Sequence, residues 1–544
     1  MTGLTPRRLR APASDGALLA EPPMAEAPGL LDANRRRLSS WDHDFQGRRA
    51  GRLRSMARSE ILDRSRRFLL RFGLDDLDGL PDPSRDADAP LVVTGHQPEL
   101  SHPGVWVKNF AAASIARAVG GLGLNLIVDN DIPKAVAVRV PFRDGDRLKA
   151  RHVPFDEWAG ESPFEDLRVQ DEQTFASFAD RALGLMGGLV PDPLLPEDWP
   201  RAVLAAGQTD RLGLRLAAMR RAREASWGAR NAEVPLGGVC ESEAFLWFAS
   251  HLLAHLPRFR EVHNESLDRY RKAHGIRSKN HPVPALATEG DWQEAPFWAW
   301  RRDHPRRRPL MARQVDPSRM QLRIAGDDEP LVELTLGPDR DACCAVERLR
   351  ELPGRGVRLR TRALTTTMFA RALLGDLFIH GIGGAKYDEL GDEIFRGFFG
   401  VDPPGYLTLS LTLWPGLPDD PASAGQLREV GARIRDLTFN PDRHLPDPLP
   451  EAAREALEAK RAALAGPVGS RAQRAARYFA IRRANAELSP FVSADREGLR
   501  RREGRLRAGL ARNALAHSRE YAAVLHPADR LRSALLGAAG GPRI

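Results

Sequence analysis

A cluster of polar residues directly follows a short apolar run near the start of the chain. Residues 91–93 predict a buried strand, and the polar residues after it include Thr94, Gly95, His96, Gln97, His102 and Lys108. Imidazole, amide and ammonium groups can bind a phosphate or a carbonyl, and a glycine permits close backbone approach. Open α/β sheets bind ligands at the carboxyl ends of their strands. We therefore predict an anion-binding site here with His96 in a catalytic role; a polar loop with capping duties is the alternative.

A second polar group follows the next apolar run, residues 124–128. Its members are Asp129, Asn130, Asp131 and Lys134. Two carboxylates beside an amide could hold the amine or ribose of a substrate, or Mg²⁺ bridged to phosphates, and an Asx turn with a helix cap is the alternative. The helical stretch 109–119 makes the two runs a βαβ unit with parallel strands. We therefore expect both polar groups at one sheet edge, with the two aspartates in catalytic roles.

A glycine-rich segment follows a third apolar run, residues 377–379. Its candidate residues are His380, Gly381, Gly383, Gly384, Lys386 and Asp388. Glycines between a strand and a helix allow backbone N–H groups to point at an anion near the positive end of the helix. The segment lacks the P-loop spacing and only partly matches GxGxxG, so a plain tight turn is the alternative. We predict His380 as a catalytic residue and the others as anion-binding residues.

Lysine is rare in this chain. Seven lysines stand among 81 lysine and arginine residues. A lysine is a compact point charge that suits phosphate contacts or acid–base work, whereas arginine cannot lose its proton. The three polar groups contain Lys108, Lys134 and Lys386, which favours a role for these three in neutralising substrate charge.

Composition limits the class of protein. A chain of 544 residues is too long for one hydrophobic core and should form several domains. The sequence contains 42% hydrophobic and 28% charged residues, and no apolar run approaches the ~18 residues of a membrane span. Three cysteines, two of them adjacent, exclude a disulfide framework and fit a reducing cytoplasm. We expect Cys240, Cys343 and Cys344 to be small buried hydrophobic residues.

The net charge of +9 raises the question of nucleic acid binding. Basic residues are spread along the chain and balanced locally by acidic ones, apart from the runs 35–37 and 306–308. Such runs are typical of solvated faces or local anion-binding sites. The pattern therefore disfavours nucleic acid binding, which stays an alternative.

The order of apolar and helical segments predicts an α/β fold. We expect a split, doubly wound parallel sheet with an inserted α+β domain and a C-terminal, coiled-coil-like helical domain that could form a homodimer. The expected segments are a disordered tail (1–28), an N-terminal helical segment (29–75), a first core half (76–150), an inserted connective or lid domain (151–330), a second core half (331–445) and the helical domain (446–544). Runs 331–336, 357–359 and 377–379 are the expected strands of the second half.

The three loops resemble, distantly, the bacillithiol biosynthesis cysteine-adding enzymes. The likeness rests on TGHQ at Thr94–Gln97, on Pro103, Gly104 and Lys108, and on the glycine-rich segment at His380–Lys386. The resemblance implies a Rossmann-like core akin to class I synthetases, connective insertions and a coiled-coil dimerisation domain. His96 stands where the family has glutamine, and Asp129–Lys134 replaces a longer acidic segment, so the family's addition of cysteine to a glucosaminyl malate does not transfer directly.

These observations lead us to expect a cytoplasmic ligase that joins an amino acid or amine to a sugar or carboxylate acceptor, in low-molecular-weight thiol-type biosynthesis. ATP or ADP is the expected cofactor, with Mg²⁺ on its phosphates and no dedicated metal site. A nucleotidyltransferase, with His102, Pro103 and Gly104 in a phosphate motif, is the first alternative. An arginine-rich nucleic-acid-binding protein is the second.

Overall fold

The computed structural model describes residues 9–86, 88–145 and 147–540. Within these ranges the strands are β1 (Leu18–Glu21), β2 (Leu91–His96), β3 (Leu122–Ile127), β4 (Ala137–Asp144), β5 (Arg147–Pro154), β6 (Ala232–Pro235), β7 (Thr288–Glu289), β8 (Trp292–Arg301), β9 (His304–Asp316), β10 (Arg319–Ile324), β11 (Val332–Thr335), β12 (Val357–Thr361), β13 (Leu377–His380) and β14 (Tyr406–Leu411). The helices are α1 (Ala27–Ser39), α2 (Ala50–Arg71), α3 (Pro103–Ala118), α4 (Glu172–Ala176), α5 (Phe178–Met186), α6 (Leu195–Leu204), α7 (Leu212–Ser226), α8 (Leu236–Cys240), α9 (Glu243–Ala254), α10 (Leu256–His274), α11 (Cys343–Arg350), α12 (Ala363–Phe369), α13 (Ile382–Phe399), α14 (Ala424–Phe439), α15 (Glu451–Ala465), α16 (Arg471–Leu488), α17 (Ser493–Ala516) and α18 (Ala528–Ala538).

The chain divides into two compact units. The first unit comprises the described residues within 1–140, 151–415 and 519–544, and the second those within 141–150 and 416–518. The division differs from the expected segments, because residues 151–330 belong to the same unit as most of both predicted core halves, while residues 141–150 and 416–445 belong to the second unit.

The main sheet of the first unit has the strand order β1-β14-β13-β2-β3-β6. Its five strands from β14 to β6 are parallel, and β1 is antiparallel to β14 at the edge. The predicted βαβ unit is confirmed, since α3 connects β2 to its parallel neighbour β3. This part of the chain is mixed α/β, as expected.

Apolar residues point alternately to the two faces of the main sheet. Val92 and Ile379 pack in a core with residues of α1 and α3, whereas Val93 and Phe378 pack in a second core with residues of α2, α9 and α13. Because both faces are covered, the central strands consist of continuous apolar runs. This explains why residues 91–93 and 377–379 were recognisable in the sequence.

At the centre of the main sheet, between β2 and β13, the direction in which the chain adds successive strands to the sheet reverses. From β2 the chain proceeds outward through β3 to β6, and from the adjacent β13 it proceeds the other way to β14. Crevices at the carboxyl ends of such paired strands are the usual ligand sites of open α/β sheets.

A second sheet of the first unit is antiparallel, with the order β11-β10-β9-β8-β12 and β7 paired to β8. The prediction that runs 331–336 and 357–359 belong to the parallel core is therefore wrong, because β11 and β12 pair with β10 and β8. β6 lies in the predicted insertion and yet joins the main sheet beside β3. An apolar run identifies a buried strand and not its partner, which explains the first error. The four-residue β6 has no long apolar run and was not predicted as a strand.

The predicted disordered tail is also corrected in part. Residues 18–21 form β1, which pairs with β14, and α1 begins at Ala27. Residues 1–8 lie outside the described ranges.

The second unit contains α14, α15, α16 and α17. Two of the helices, α15 and α16, pack against each other, around Ala453, Ala456 and Leu488. The predicted boundary at 446 is wrong, since the unit begins at 416, and residues 519–540 return to the first unit, where α18 packs on α3 through Leu531 and Leu535. Among the described residues, no helix combines the length and apolar character required to cross a membrane.

Candidate functional site

A cavity of about 850 Å³ opens in the first unit where β2 and β13 end. The predicted site residues that line it are Gly95, His96, Gln97, His102, Lys108, Asn130, Asp131, His380, Gly381, Gly383, Gly384 and Lys386. Three segments far apart in sequence thus meet at one cavity. The parallel pairing of β13, β2 and β3 brings them there.

Four predicted site residues are not among those that line the cavity: Thr94, Asp129, Lys134 and Asp388. Thr94 is fully buried, and its hydroxyl donates a hydrogen bond to the carbonyl of Ile379 at 3.0 Å, which ties β2 to β13. Lys134 is exposed on the loop after β3. Thr94 therefore stabilises the sheet, and Lys134 lies on the surface.

Asp129 is buried beside a network of ion pairs. Its Oδ1 accepts a hydrogen bond from the backbone N–H of Gly237 at 2.9 Å. Burial and the nearby Glu165 carboxylate together raise the pKa of Asp129 to about 7. This carboxyl group holds the start of α8 and does not reach the cavity.

Asp388 lies behind His380. His380 Nε2 lies 2.7 Å from Asp388 Oδ2, and the carboxylate also accepts from Arg371 at 2.7 Å and from Thr367 at 2.6 Å. Burial alone would raise the pKa of Asp388, but its interactions with His380 and Arg371 outweigh burial and lower that pKa to about 2. Asp388 is therefore an anion that orients His380.

His380 is the cavity-lining member of this pair. Burial lowers the pKa of His380 more than Asp388 raises it, so the imidazole is neutral at pH 7. When Nε2 donates to Asp388, the lone pair is on Nδ1. A Cβ on Gly384 would lie 2.6 Å from that Nδ1, so the glycine in the first turn of α13 makes room for it. An imidazole held in this way has the geometry that a general base requires.

Lys108 is buried in the wall of the cavity on α3. Its Nζ donates to the Gly95 carbonyl at 2.8 Å, and burial lowers its pKa to about 8. Gly95 is needed next to β3, because a Cβ there would lie 3.0 Å from the carbonyl oxygen of Leu126. With a pKa of about 8, the ammonium group of Lys108 remains charged at pH 7 but is close to the pH range in which it can exchange a proton.

Two other histidines line the cavity in the neutral form. Burial and the nearby Lys108 charge lower the pKa of His96 to about 3. Burial likewise lowers the pKa of His102 to about 4. His102 caps α3, accepting a hydrogen bond from the N–H of Gly104 at 3.1 Å through Nδ1. These imidazoles can orient a ligand, and the low pKa of His96 favours an orienting role over proton transfer at pH 7, so its catalytic role stays a prediction.

The predicted contact between the first two polar groups is confirmed. Gln97 Nε2 donates to Asp131 Oδ2 at 2.7 Å, and Arg307 pairs with Asp131 Oδ1 at 2.9 Å. Asn130 donates to the carbonyl of Thr361 at 2.8 Å. Asp131 is thus held by one amide and one guanidinium at the cavity wall.

Several lining residues were not predicted as site residues. Arg362 lies over the ring of Trp298 at 4.1 Å and pairs with Glu294 at 2.5 Å. Arg519 donates to the hydroxyl of Ser410 at 2.7 Å. The arginine run 306–308 was a visible signal for the clamp at Asp131, but the sequence carries no signal that residue 519 returns to this cavity.

The lining carries an excess of positive charge. Its cationic side chains are Arg10, Lys108, Arg307, Arg362, Lys386 and Arg519. Its carboxylates are Asp131 and Glu520. The helices α3 and α13 also begin at the cavity, with caps at His102 and Gly381, and helix N-termini favour anions. The cavity is therefore suited to an anionic ligand.

Within the part of the chain that the structure describes, no group of three or more histidine, cysteine, aspartate or glutamate residues is arranged to hold a metal ion. Comparison of the sequence with models of known protein families, and with curated proteins, gives no match.

Proposed function

We propose that this protein is a ligase that binds an anionic small molecule in the cavity and joins an amine or amino acid to a carboxylate or sugar acceptor. The observation that carries the proposal is the meeting of His380, Lys108 and the start of α13 at one cationic cavity between β2 and β13. The chemical setting is that of low-molecular-weight thiol-type biosynthesis, and the parallel sheet is taken as Rossmann-like.

The roles follow from the protonation states. A C–N bond would form when an amine nitrogen attacks a carboxyl carbon: the nitrogen loses a proton, and one carbon–oxygen bond of the carboxyl group breaks, its oxygen leaving as water or, where ATP has activated the carboxyl group, with phosphate. His380, neutral and oriented by Asp388, can accept that proton on Nδ1. Lys108 and Lys386 can stabilise the negative charge that develops on oxygen. Asp131 can hold the amine, since Gln97 and Arg307 fix its carboxylate.

ATP or ADP fits the same cavity, because its phosphates match the cationic lining and the two helix N-termini. Bound ATP would supply activation of the acceptor carboxyl group. Mg²⁺ would then be carried on the phosphates.

The test is a condensation assay on the full chain. The protein is incubated with ATP, labelled amino acids including cysteine, and sugar or carboxylic acids, and products are sought by mass spectrometry at the summed mass less one water. His380→Gln should lower the rate by at least about 100-fold, the range of general base catalysis, while the exposed His152→Gln should leave it unchanged. Equal rates in His380→Gln and wild type would contradict the proposal.

A nucleotidyltransferase is the second candidate. It is favoured by the position of His102, which caps α3 at the cavity and is followed by Pro103 and Gly104. Release of pyrophosphate with acceptor present, and transfer of the nucleotide without any amine-containing product, would select this function over the ligase.

We also propose a cytoplasmic location and a homodimer formed through the second unit. Tyr478 and Phe479 on α16 are 55% and 67% exposed, and large exposed apolar groups are typical of interfaces. Light scattering should give twice the monomer mass for wild type and a lower mass for Phe479→Ser.

A further inference from the structure

Two adjacent thiols lie on the surface of the first unit, at the start of α11. Cys343 and Cys344 are both exposed, contrary to the expectation that they are buried, whereas Cys240 is buried as expected. The two Sγ atoms are 3.8 Å apart. Both thiols are therefore accessible and point to nearly the same place.

The separation of the sulfurs matches the requirement of a thiophilic metal ion. A tetrahedral ion with metal–sulfur bonds of about 2.3 Å places two of its sulfur ligands about 3.8 Å apart. The separation of the two sulfurs thus equals that of two ligands of such an ion.

The same geometry disfavours a disulfide. Adjacent residues joined by a trans peptide have Cα atoms about 3.8 Å apart, below the range of about 4.4–6.8 Å for disulfides. Oxidation would require backbone distortion, so chelation by two thiolates is the easier chemistry.

The backbone that carries the two thiols is firmly anchored. Ala342 is fully buried and its N–H donates to the carbonyl of Gln46 at 2.9 Å, while Gln46 Nε2 donates to the carbonyl of Pro338 at 2.8 Å. Asp341 Oδ1 accepts from the N–H of Cys343 at 2.8 Å. A fixed backbone lowers the entropy cost of holding both sulfurs in position.

We propose that Cys343 and Cys344 form a bidentate site for a thiophilic divalent metal ion, separate from the cavity. Binding converts one ion and two thiols to a bis-thiolate complex and releases two protons, with no oxidant or reductant. Since the described residues supply no third ligand of the usual kinds, water or an external thiol completes the coordination, and the ion is exchangeable.

The protonation state of the pair makes binding depend on pH. Both thiols must lose a proton to bind. Affinity should therefore increase with pH, by up to about 100-fold per pH unit while both thiols are protonated.

The test uses Cd²⁺ as probe on the reduced full chain. We expect one ion per chain with thiolate-to-cadmium ultraviolet absorption and release of two protons. Cys343→Ser and Cys344→Ser should each weaken binding at least about 30-fold, and Cys240→Ala should not, because that thiol is buried and its pKa is raised to about 12. Circular dichroism would check that all three variants fold.

Two outcomes would overturn the proposal. One is a single-serine variant that binds Cd²⁺ as tightly as wild type, which would place the ion elsewhere. The other is a stoichiometry of one ion per two chains, which would mean that the ion bridges molecules and is not chelated by one pair.

Discussion

Two buried carboxyl groups near the same edge of the main sheet, Asp388 and Asp129, have opposite pKa shifts. Each is excluded from water, and each was predicted from the sequence as a site residue. Asp388 has a pKa of about 2 because His380 and Arg371 outweigh its burial. Asp129 has a pKa of about 7 because the neighbouring Glu165 adds to the effect of burial.

The comparison shows that the partner charges, and not burial alone, determine what a buried carboxyl group can do. Asp388 remains ionised and can stabilise a proton on His380 in the cavity wall. Asp129 takes up a proton near neutral pH and acts on the backbone of Gly237. The Asp388 carboxylate therefore orients His380, and we expect the Asp129 carboxyl group to make the stability of the fold depend on pH.

The largest effect is expected for Asp388→Asn. Removing the charge leaves Arg371 and His380 without their buried anion, and breaking such a pair typically lowers the free energy of unfolding by about 3 kcal/mol. The matched control is Asp402→Asn, since Asp402 pairs with Arg396 on the surface and is 67% exposed, and it should change stability by less than about 0.5 kcal/mol. Denaturant unfolding at pH 7 measures the free energy of unfolding of both variants. Equal losses of stability would contradict the difference between the buried pair of Asp388 and the surface pair of Asp402.

Asp129 should make stability fall as pH rises. Its pKa is higher in the folded chain than the unfolded value of 3.8, so between these values the folded state binds the extra proton. Its contribution is therefore fully present below about pH 4 and is lost as pH rises toward 7, by on the order of 2 kcal/mol. Asp129→Asn should remove this part of the slope in urea unfolding curves, and an unchanged slope would refute the pKa difference.

Lys108→Met should weaken the binding of an oxyanion such as pyrophosphate by at least about 10-fold, or about 1.4 kcal/mol. The change removes a buried ammonium group from the cavity and preserves the length of the side chain. The control Lys272→Met alters an exposed lysine of α10 and should not change affinity. Isothermal titration calorimetry measures the dissociation constant of pyrophosphate for both variants. An unchanged dissociation constant for Lys108→Met would exclude this lysine from the site.

The smallest effect concerns Thr94, which was predicted to bind substrate. Thr94→Val removes the hydrogen bond to Ile379 and should cost about 1 kcal/mol of stability. Oxyanion affinity should not change, because the residue lies behind the cavity. A tenfold loss of affinity without loss of stability would restore Thr94 to the site.

Local patterns in the sequence predicted the elements around the cavity and not the way distant segments assemble. Residues 91–93 and 377–379 are apolar on both faces, so their burial was visible, and the shared edge of β2 and β3 followed from the length of the connection. The pairing of β12 with β8 and the return of Arg519 to the cavity depend on long-range contacts. Asp388 lies on α13, eight residues after His380. The sequence is the same whether its carboxylate faces a ligand or the histidine, so its position could not be predicted.

The most direct test of the cationic cavity is the location of a heavy oxyanion in crystals of the full chain. Tungstate should give an anomalous peak in the cavity between the ends of β2 and β13, within about 3–4 Å of the ammonium of Lys108 or Lys386. Peaks only on the outer surface, with the cavity empty at saturating tungstate, would contradict the account.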